Sequence, residues 1–386
     1  MVENGIEGQS LVAEDQLFIL TQAGLYLTAT RGLGAPEARV CYERAEPLCH
    51  SLGRPLLLHA ALVGRWRYTL MTDKLSNAMQ IAKQIYSLAE QQNDAALLVG
   101  AYRYLAATLC FMGDFESVRQ HAMCGVQIWG SRGVQSSVEQ YHYTPVVGCL
   151  IYLAMSEWHL GDIASSQARI AEAIALAREL YSVDRLPGQE MNDTHALALA
   201  LQLAAVIAWG ERDPAAVDCL ASELIELSTR YNFSYWLIVG TILRGWARSA
   251  SGDIGKGIPW IEDGINDYRA SGVVLALSYY LALKAEALYL AGRTSEALEA
   301  ITEAGALAPT TEEGWWCAEL HRLRGVFLAA VGAEQTQIEA SFCEAISTAK
   351  EQKSVSLEKR AEASYAEYRR QKASGSGGPG VRLPLW

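Results

Sequence analysis

Phe111-Met112-Gly113-Asp114 closes one helical stretch and opens another. The same form, two apolar or small residues, a glycine and then a polar or small residue, returns at His159-Leu160-Gly161-Asp162, Ala208-Trp209-Gly210-Glu211, Ala250-Ser251-Gly252-Asp253, Leu290-Ala291-Gly292-Arg293 and Ala330-Val331-Gly332-Ala333. The step between glycines is roughly 40 to 50 residues, the length of two helices with their turns. A helix that must reverse within a few residues ends at least cost on a residue free to adopt a left-handed backbone, hence a glycine at this place. Seven residues before it stands a small residue in five of the six units: Ala106, Ala154, Gly245, Ala285 and Gly325. Five or six residues after it comes another slim one, as at Ser166, Ala215, Gly257 and Ala297. Small residues at both places let two antiparallel helices approach closely.

Later in the second helix an apolar residue is followed by a further small one, as in Ile170 with Ala173, Ile261 with Gly264, Ile301 with Ala304 and Phe342 with Ala345. These seat one pair against the next. Two weaker units precede them, around Ala38, Tyr42 and Ala45 and around Ala78, Ala82 and Ile85. One helix pair buries too little surface to fold alone, so such units stack. The predicted fold is all-α: a right-handed superhelical solenoid of about eight tetratricopeptide-like antiparallel helix pairs over residues 1–373, with first helices lining a concave face. Residues 374–386 open with Ser374-Gly375-Ser376-Gly377-Gly378-Pro379-Gly380, a linker composition that predicts a flexible tail, disordered unless something captures it.

At 386 residues the chain is too long for one ordinary core, and its net charge of -11 opposes the positive field that a phosphate backbone requires. Nucleic acid is therefore not an expected partner. Eight cysteines (Cys41, Cys49, Cys110, Cys124, Cys149, Cys219, Cys317, Cys343) fall singly in apolar helical stretches without metal-ligand spacing, and read as buried thiols in a reducing compartment. The first sixteen residues lack a secretory pattern, and the apolar runs 196–208 and 273–283 are too short to span a bilayer. A cytoplasmic location with no membrane contact is expected.

Several stretches go beyond a generic repeat. Ala35 to Ala45, Ala106 to Phe115, Phe233-Ser234-Tyr235-Trp236-Leu237 through Gly240 to Ala247, and Ala318-Glu319-Leu320-His321-Arg322-Leu323-Arg324-Gly325 together resemble the C-terminal tetratricopeptide-like region of bacterial multidomain regulators, in which a nucleotide-cyclase-like domain and an AAA or STAND-type ATPase precede the repeats. The resemblance implies a sensor or partner-binding arm. The catalytic domains are missing from this sequence: Gly252-Asp253-Ile254-Gly255-Lys256-Gly257 has the wrong spacing for a phosphate-binding loop, and no metal-binding carboxylate pair can be assigned. No catalytic, cofactor or metal residue is expected.

Two features suggest a binding face. Basic side chains recur eight residues before the turn glycine, at Arg244, Lys284 and Arg324, with Arg65 in the equivalent place of a weaker unit; such a ladder can clamp an acidic or phosphorylated peptide. Ordinary ion pairs with neighbours such as Glu286 and Glu319 are the plainer account. Among ten tryptophans and eighteen tyrosines, most of them packing residues, Trp246 and Tyr279 are the expected groove anchors. The dispersed histidines carry no motif spacing and read as structural. The expectation is a non-catalytic regulatory module that binds a protein or peptide along an open concave face. A small effector held in a closed inner pocket is the alternative, and an enzyme a weak third. Self-association, with the tail inserted into a neighbouring copy, is a further expectation.

Overall fold

A computed structural model describes residues 2–132, 145–182, 190–374 and 380–385. Among the described residues there are seventeen α-helices and no strand. They run as α1 (Val2–Arg31), α2 (Pro36–Ser51), α3 (Pro55–Thr72), α4 (Leu75–Gln92), α5 (Ala95–Met112), α6 (Phe115–Arg132), α7 (Pro145–His159), α8 (Ile163–Ser182) and α9 (Glu190–Gly210). The order continues with α10 (Pro214–Tyr231), α11 (Ser234–Ala250), α12 (Ile254–Ala270), α13 (Leu277–Leu290), α14 (Thr294–Thr311), α15 (Cys317–Val331), α16 (Gln335–Glu351) and α17 (Val355–Ala373). Eight antiparallel pairs and a closing helix make the solenoid that the repeat predicts.

The turns follow the sequence at five of six places. Gly113, Gly161, Gly252, Gly292 and Gly332 all have a positive φ. The unit around Gly210 differs. Its left-handed residue is Arg212, with φ 60°, and Gly210 lies within α9. Hydrogen bonds settle the register. Arg212 N donates to Trp209 O and Asp213 N to Ala208 O, as Gly113 N donates to Cys110 O and Asp114 N to Leu109 O. Asp213 then matches Asp114, Asp162 and Asp253, and its carboxylate caps α10 by accepting from Ala216 N at 3.0 Å. Counted from Arg212, the small residue seven places earlier is Ala205, fully buried like Ala106, Ala154 and Ala285. Gly210 instead makes room for an aromatic side chain, since a Cβ there would stand 2.7 Å from the Trp158 ring.

Odd-numbered helices form the inner layer and even-numbered ones the outer. A repeat array ordinarily touches only its neighbours, but here the superhelix is wound tightly enough that α17 returns to α7. His159 Nδ1 lies 2.9 Å from Ser354 Oγ, 195 residues on, and Ser356 Oγ donates to Trp158 O. Val274 N donates to Met71 O at 2.8 Å, and Gly314 N to Phe111 O at 2.8 Å. Glu312 accepts from Ser76 N at 2.8 Å across 236 residues. The turns are therefore stacked and hydrogen-bonded to each other, and one main core runs through them, with a small separate cluster of Ala35, Ala38 and Tyr42.

Two expectations change at this level. Only Cys49, Cys110 and Cys149 are buried thiols; Cys219 and Cys343 are exposed, because α10 and α16 belong to the outer layer, and all eight are free. Residues 380–385 of the tail lie against the C-terminal ends of α13 and α15, with Leu383 and Leu385 buried; residues 375–379 and Trp386 fall outside the described residues. Among the described residues one helix, α5, is long and apolar enough to cross a membrane, and 67% of it is buried inside the solenoid.

Close helix crossing can be tested at two glycines. A Cβ on Gly245 would meet Gly257 O and the Ile261 side chain at 2.8 Å, whereas one on Gly305, inside α14, meets nothing within 4 Å. Gly245→Ala is expected to destabilise the chain by about 1–3 kcal/mol and Gly305→Ala to stabilise it by about 0.5–1 kcal/mol. Urea midpoints of the two variants check the opposite signs.

Candidate functional site

In the C-terminal half, the bore of the superhelix is filled by a polar and aromatic cluster drawn from the inner helices α7 to α17 and the turn after α9. Glu286 of α13 is fully buried and accepts from Trp246 Nε1 of α11 at 2.7 Å and Trp209 Nε1 of α9 at 3.2 Å. Arg212 donates to both Glu286 oxygens, at 2.7 and 2.9 Å, and also to Glu319 of α15. Arg322 forms a two-pronged pair with Glu319, at 2.9 and 2.8 Å, and reaches Ser364 of α17 at 3.0 Å. Arg360 of α17 adds a contact to Glu319 at 3.4 Å and donates to Gly210 O. Burial alone would raise the Glu319 carboxyl, yet Arg322, Arg360 and Arg212 overrule it and hold it well below the ordinary carboxylate range. Burial brings Arg360 down to about 10, with Glu319 opposing. Trp158, Trp209, Trp315, Trp316 and Tyr279, all nearly inaccessible, pack around these charges.

His159 belongs to the same interior. Its ring stacks on Phe115, centroids 3.6 Å apart, and meets Trp158 edge-on. Burial, then the nearby Arg360, hold its pKa well below the usual histidine value. His59 is pushed down to about 4 by burial, against the pull of Asp94. Both are neutral packing groups, in line with a structural reading of the histidines.

The N-terminal half differs, because its inner layer leaves a cavity of about 50 Å³ between α3, α5, α7, α9 and α11. Its floor is Trp66, Arg103, Tyr152, Gln202 and Trp236, all buried; its mouth is Leu33, Arg67, Met71, Leu199 and Tyr235, half-buried. Arg103 lies over the rings of Trp66 and Tyr104, 6.0 and 5.1 Å from their centroids. It has room because α7 carries Gly148 opposite it; a Cβ there would stand 2.3 Å from the Arg103 Cδ and Nε atoms. Gln202 donates to Tyr280 OH at 3.1 Å, which fixes its amide. Apolar walls with two guanidinium groups and one amide suit a carboxylate borne on an apolar or short side chain.

The residues singled out from sequence are not brought together. Successive helix residues are 100° apart, so a position two residues from a bore-facing one points the other way. Lys284 stands two before Glu286, Arg244 two before Trp246, and Arg324 two after Arg322. Each paired cation meets a carboxylate of the preceding outer helix: Arg65 with Glu46, Arg244 with Asp218 at 3.3 Å, Lys284 with Glu262 at 3.1 Å. Arg324 is exposed. The ladder therefore clamps helix pairs on the side away from the bore, and its ion pairs are with these carboxylates and not with Glu286 or Glu319. Trp246 and Tyr279 do face inward, but both are buried, at 1% exposure, inside the filled bore and cannot anchor a ligand from an open groove. Arg65 also borders a polar cleft of about 280 Å³ between α2, α3 and α4, where Arg39 and Glu43 pair at 3.5 Å. Arg103 was legible: it is the one charged residue of α5, in an otherwise apolar or uncharged run.

No family model matches the chain. It is 24% identical over 355 residues to an uncharacterized protein of Rhizobium meliloti (strain 1021), covering 91% of this chain and 33% of that one. The chain thus spans about a third of the length of the curated relative it matches. Among solved structures it is similar to the Rap protein complexed with Competence and Sporulation Factor, with a TM-score of 0.54 and 11% identity over 93% of this chain and 99% of that one. PlcR of Bacillus thuringiensis, in complex with the peptide PapR7 and DNA, gives a TM-score of 0.42 and 15% identity over 67% and 83%. The Rap similarity shows the fold, a tetratricopeptide-like helical solenoid.

The buried titratable groups make the chain acid-sensitive in a definite order. His59 and His159 are held neutral when folded, so the unfolded chain takes up their protons first and stability falls as pH drops below about 6.5. Glu319 has a depressed pKa when folded, so its contribution is complete above the unfolded value and is lost from about pH 5 downward. Glu319→Gln, which leaves three arginines with one buried carboxylate, is expected to cost about 3–5 kcal/mol at pH 7 and to weaken the acid dependence below pH 5. Thermal melts from pH 8 to 3 on both proteins measure this.

Proposed function

We propose that this chain is a non-catalytic regulatory module that captures an extended segment of a peptide or partner protein, with an acidic side chain or terminal carboxylate of that segment seated in the cavity between Arg67 and Arg103. The size of the cavity carries the reading. About 50 Å³ accepts the carboxyl end of one side chain, whereas pockets for small molecules run to about 300–1,000 Å³. An effector wholly enclosed in the bore is therefore disfavoured, and a segment that lies across the half-buried mouth and inserts one group is favoured. Two guanidinium groups line this cavity in a chain whose net charge is -11.

Similarity in fold to a Rap protein solved with a bound factor supports peptide or protein capture as the general class. The finer reading, an arm of a larger cyclase- or ATPase-linked regulator, rests on the sequence resemblance alone; the relative, about three times as long as the region matched in it, fits only the larger size. Eight free thiols support a cytoplasmic setting. Small-effector sensing keeps one observation in its favour, the amide and guanidinium groups converging on the cavity floor.

The test is a selection of displayed random peptides on the full chain, followed by calorimetry of the selected sequences. Selected peptides should share an acidic residue, and Arg103→Gln, with helicity verified, should weaken them about tenfold or more, the value of a charged hydrogen bond. The triple variant Arg244→Glu, Lys284→Glu, Arg324→Glu should bind them unchanged. Loss of binding in the triple variant with retention in Arg103→Gln would move the site to the outer ladder and defeat this reading.

A further inference from the structure

Residues 380–385 are held in a way that ordinary chain packing does not require. Val381 N donates to Ala329 O at 2.8 Å, Tyr289 OH donates to Leu383 O at 2.8 Å, and Arg382 donates to Tyr289 O at 3.0 Å while its guanidinium lies 5.1 Å from the Tyr289 ring centroid. Leu383 and Leu385 point in, at 1% and 4% exposure, and Arg382 and Pro384 point out. Alternation with a period of two is the signature of an extended peptide laid in a groove, with main-chain hydrogen bonds for affinity and alternate side chains for selectivity. Gly380 fits the rim closely: a Cβ there would stand 2.3 Å from Ala330 O.

We infer that the groove at the C-terminal ends of α13 and α15 is a second docking site, for an extended partner segment of the pattern Gly–apolar–Arg–Leu–Pro–Leu, and that the chain's own residues 380–385 occupy it as a tethered, displaceable ligand. That occupant defines the chemistry: a glycine at the rim, an outward cation stacked on Tyr289, and two leucines inserted two residues apart. A covalent tether raises the local concentration of such a segment to the millimolar range without strengthening its contacts, so a partner segment of the same pattern competes with it at ordinary affinities. This site stands apart from the Arg103 cavity, and either can fail without the other.

The experiment uses a fluorescent, amidated peptide with the sequence of residues 380–385, titrated by anisotropy against the full chain and against the full-length double variant Leu383→Ser, Leu385→Ser, whose own segment is weakened. The variant should bind at least tenfold tighter than the unmodified chain, adding Tyr289→Phe should reduce that binding severalfold, and a peptide with alanine for Gly380 should bind less well. Equal binding to both chains, or no saturable binding to a variant that keeps its helicity, overturns the proposal. A double variant that no longer melts cooperatively would show residues 380–385 to be part of the core and overturn it too. Light scattering that finds the unmodified chain dimeric and the variant monomeric would assign the groove to a second copy instead of a partner.

Discussion

Two carboxylates and three guanidinium groups meet in the bore, and every inner helix from α9 to α17 is placed by them. Glu286 and Glu319 are at most 1% exposed, and Arg322 equally so. Charges taken this far from water are tolerated only where partners surround them, because desolvation costs several kcal/mol per ion and is offset only by good geometry and complete hydrogen bonding. The helices that supply the partners therefore have little freedom to rotate or slide. Arg212 shows how far the demand extends: a long side chain takes the left-handed position that glycine fills in the five matching turns, and its guanidinium reaches both carboxylates at once.

The same cluster decides where binding can occur. An open concave groove needs inner helices that leave the bore vacant, and here the C-terminal half is closed by tryptophans around the charges. Among the described residues, the open spaces lie elsewhere: the cavity between Arg67 and Arg103 in the inner layer, and the polar cleft between α2, α3 and α4. The fold is shared with the Rap protein, yet the accessible surface is set by which inner side chains are large.

The paired helices, the all-α class and five of the six turns were legible because each depends on local chemistry: a residue free to adopt positive φ, an aspartate to cap the next helix, small residues where backbones cross. The turn at Arg212 was not, because Gly210 is the better local candidate and Arg212 wins only through Glu286 and Glu319, more than seventy residues away. The side on which the basic ladder lies was not legible, because residues eight before the turn adjoin the small packing residues, whereas the bore is faced by the stripe of Glu286, Trp246 and Arg322, two residues away. The docked tail was hidden for another reason: the glycines and serines of 374–380 describe a linker, and the buried Leu383 and Leu385 find their partners only on helices brought near by the superhelix.

Turn-to-turn stacking also bears on how such a chain can change over time. A simple array tolerates gain or loss of a whole cassette, since each unit knows only its neighbours. Here Met71 must meet Val274, Phe111 must meet Gly314 and Trp158 must meet Ser356, so one added or missing cassette would carry all later helices past their partners by roughly a fifth of a turn. The number of units is thus quantised by closure: the molecule can vary its surfaces and its loops, but its length between α3 and α17 is fixed as firmly as the circumference of a ring.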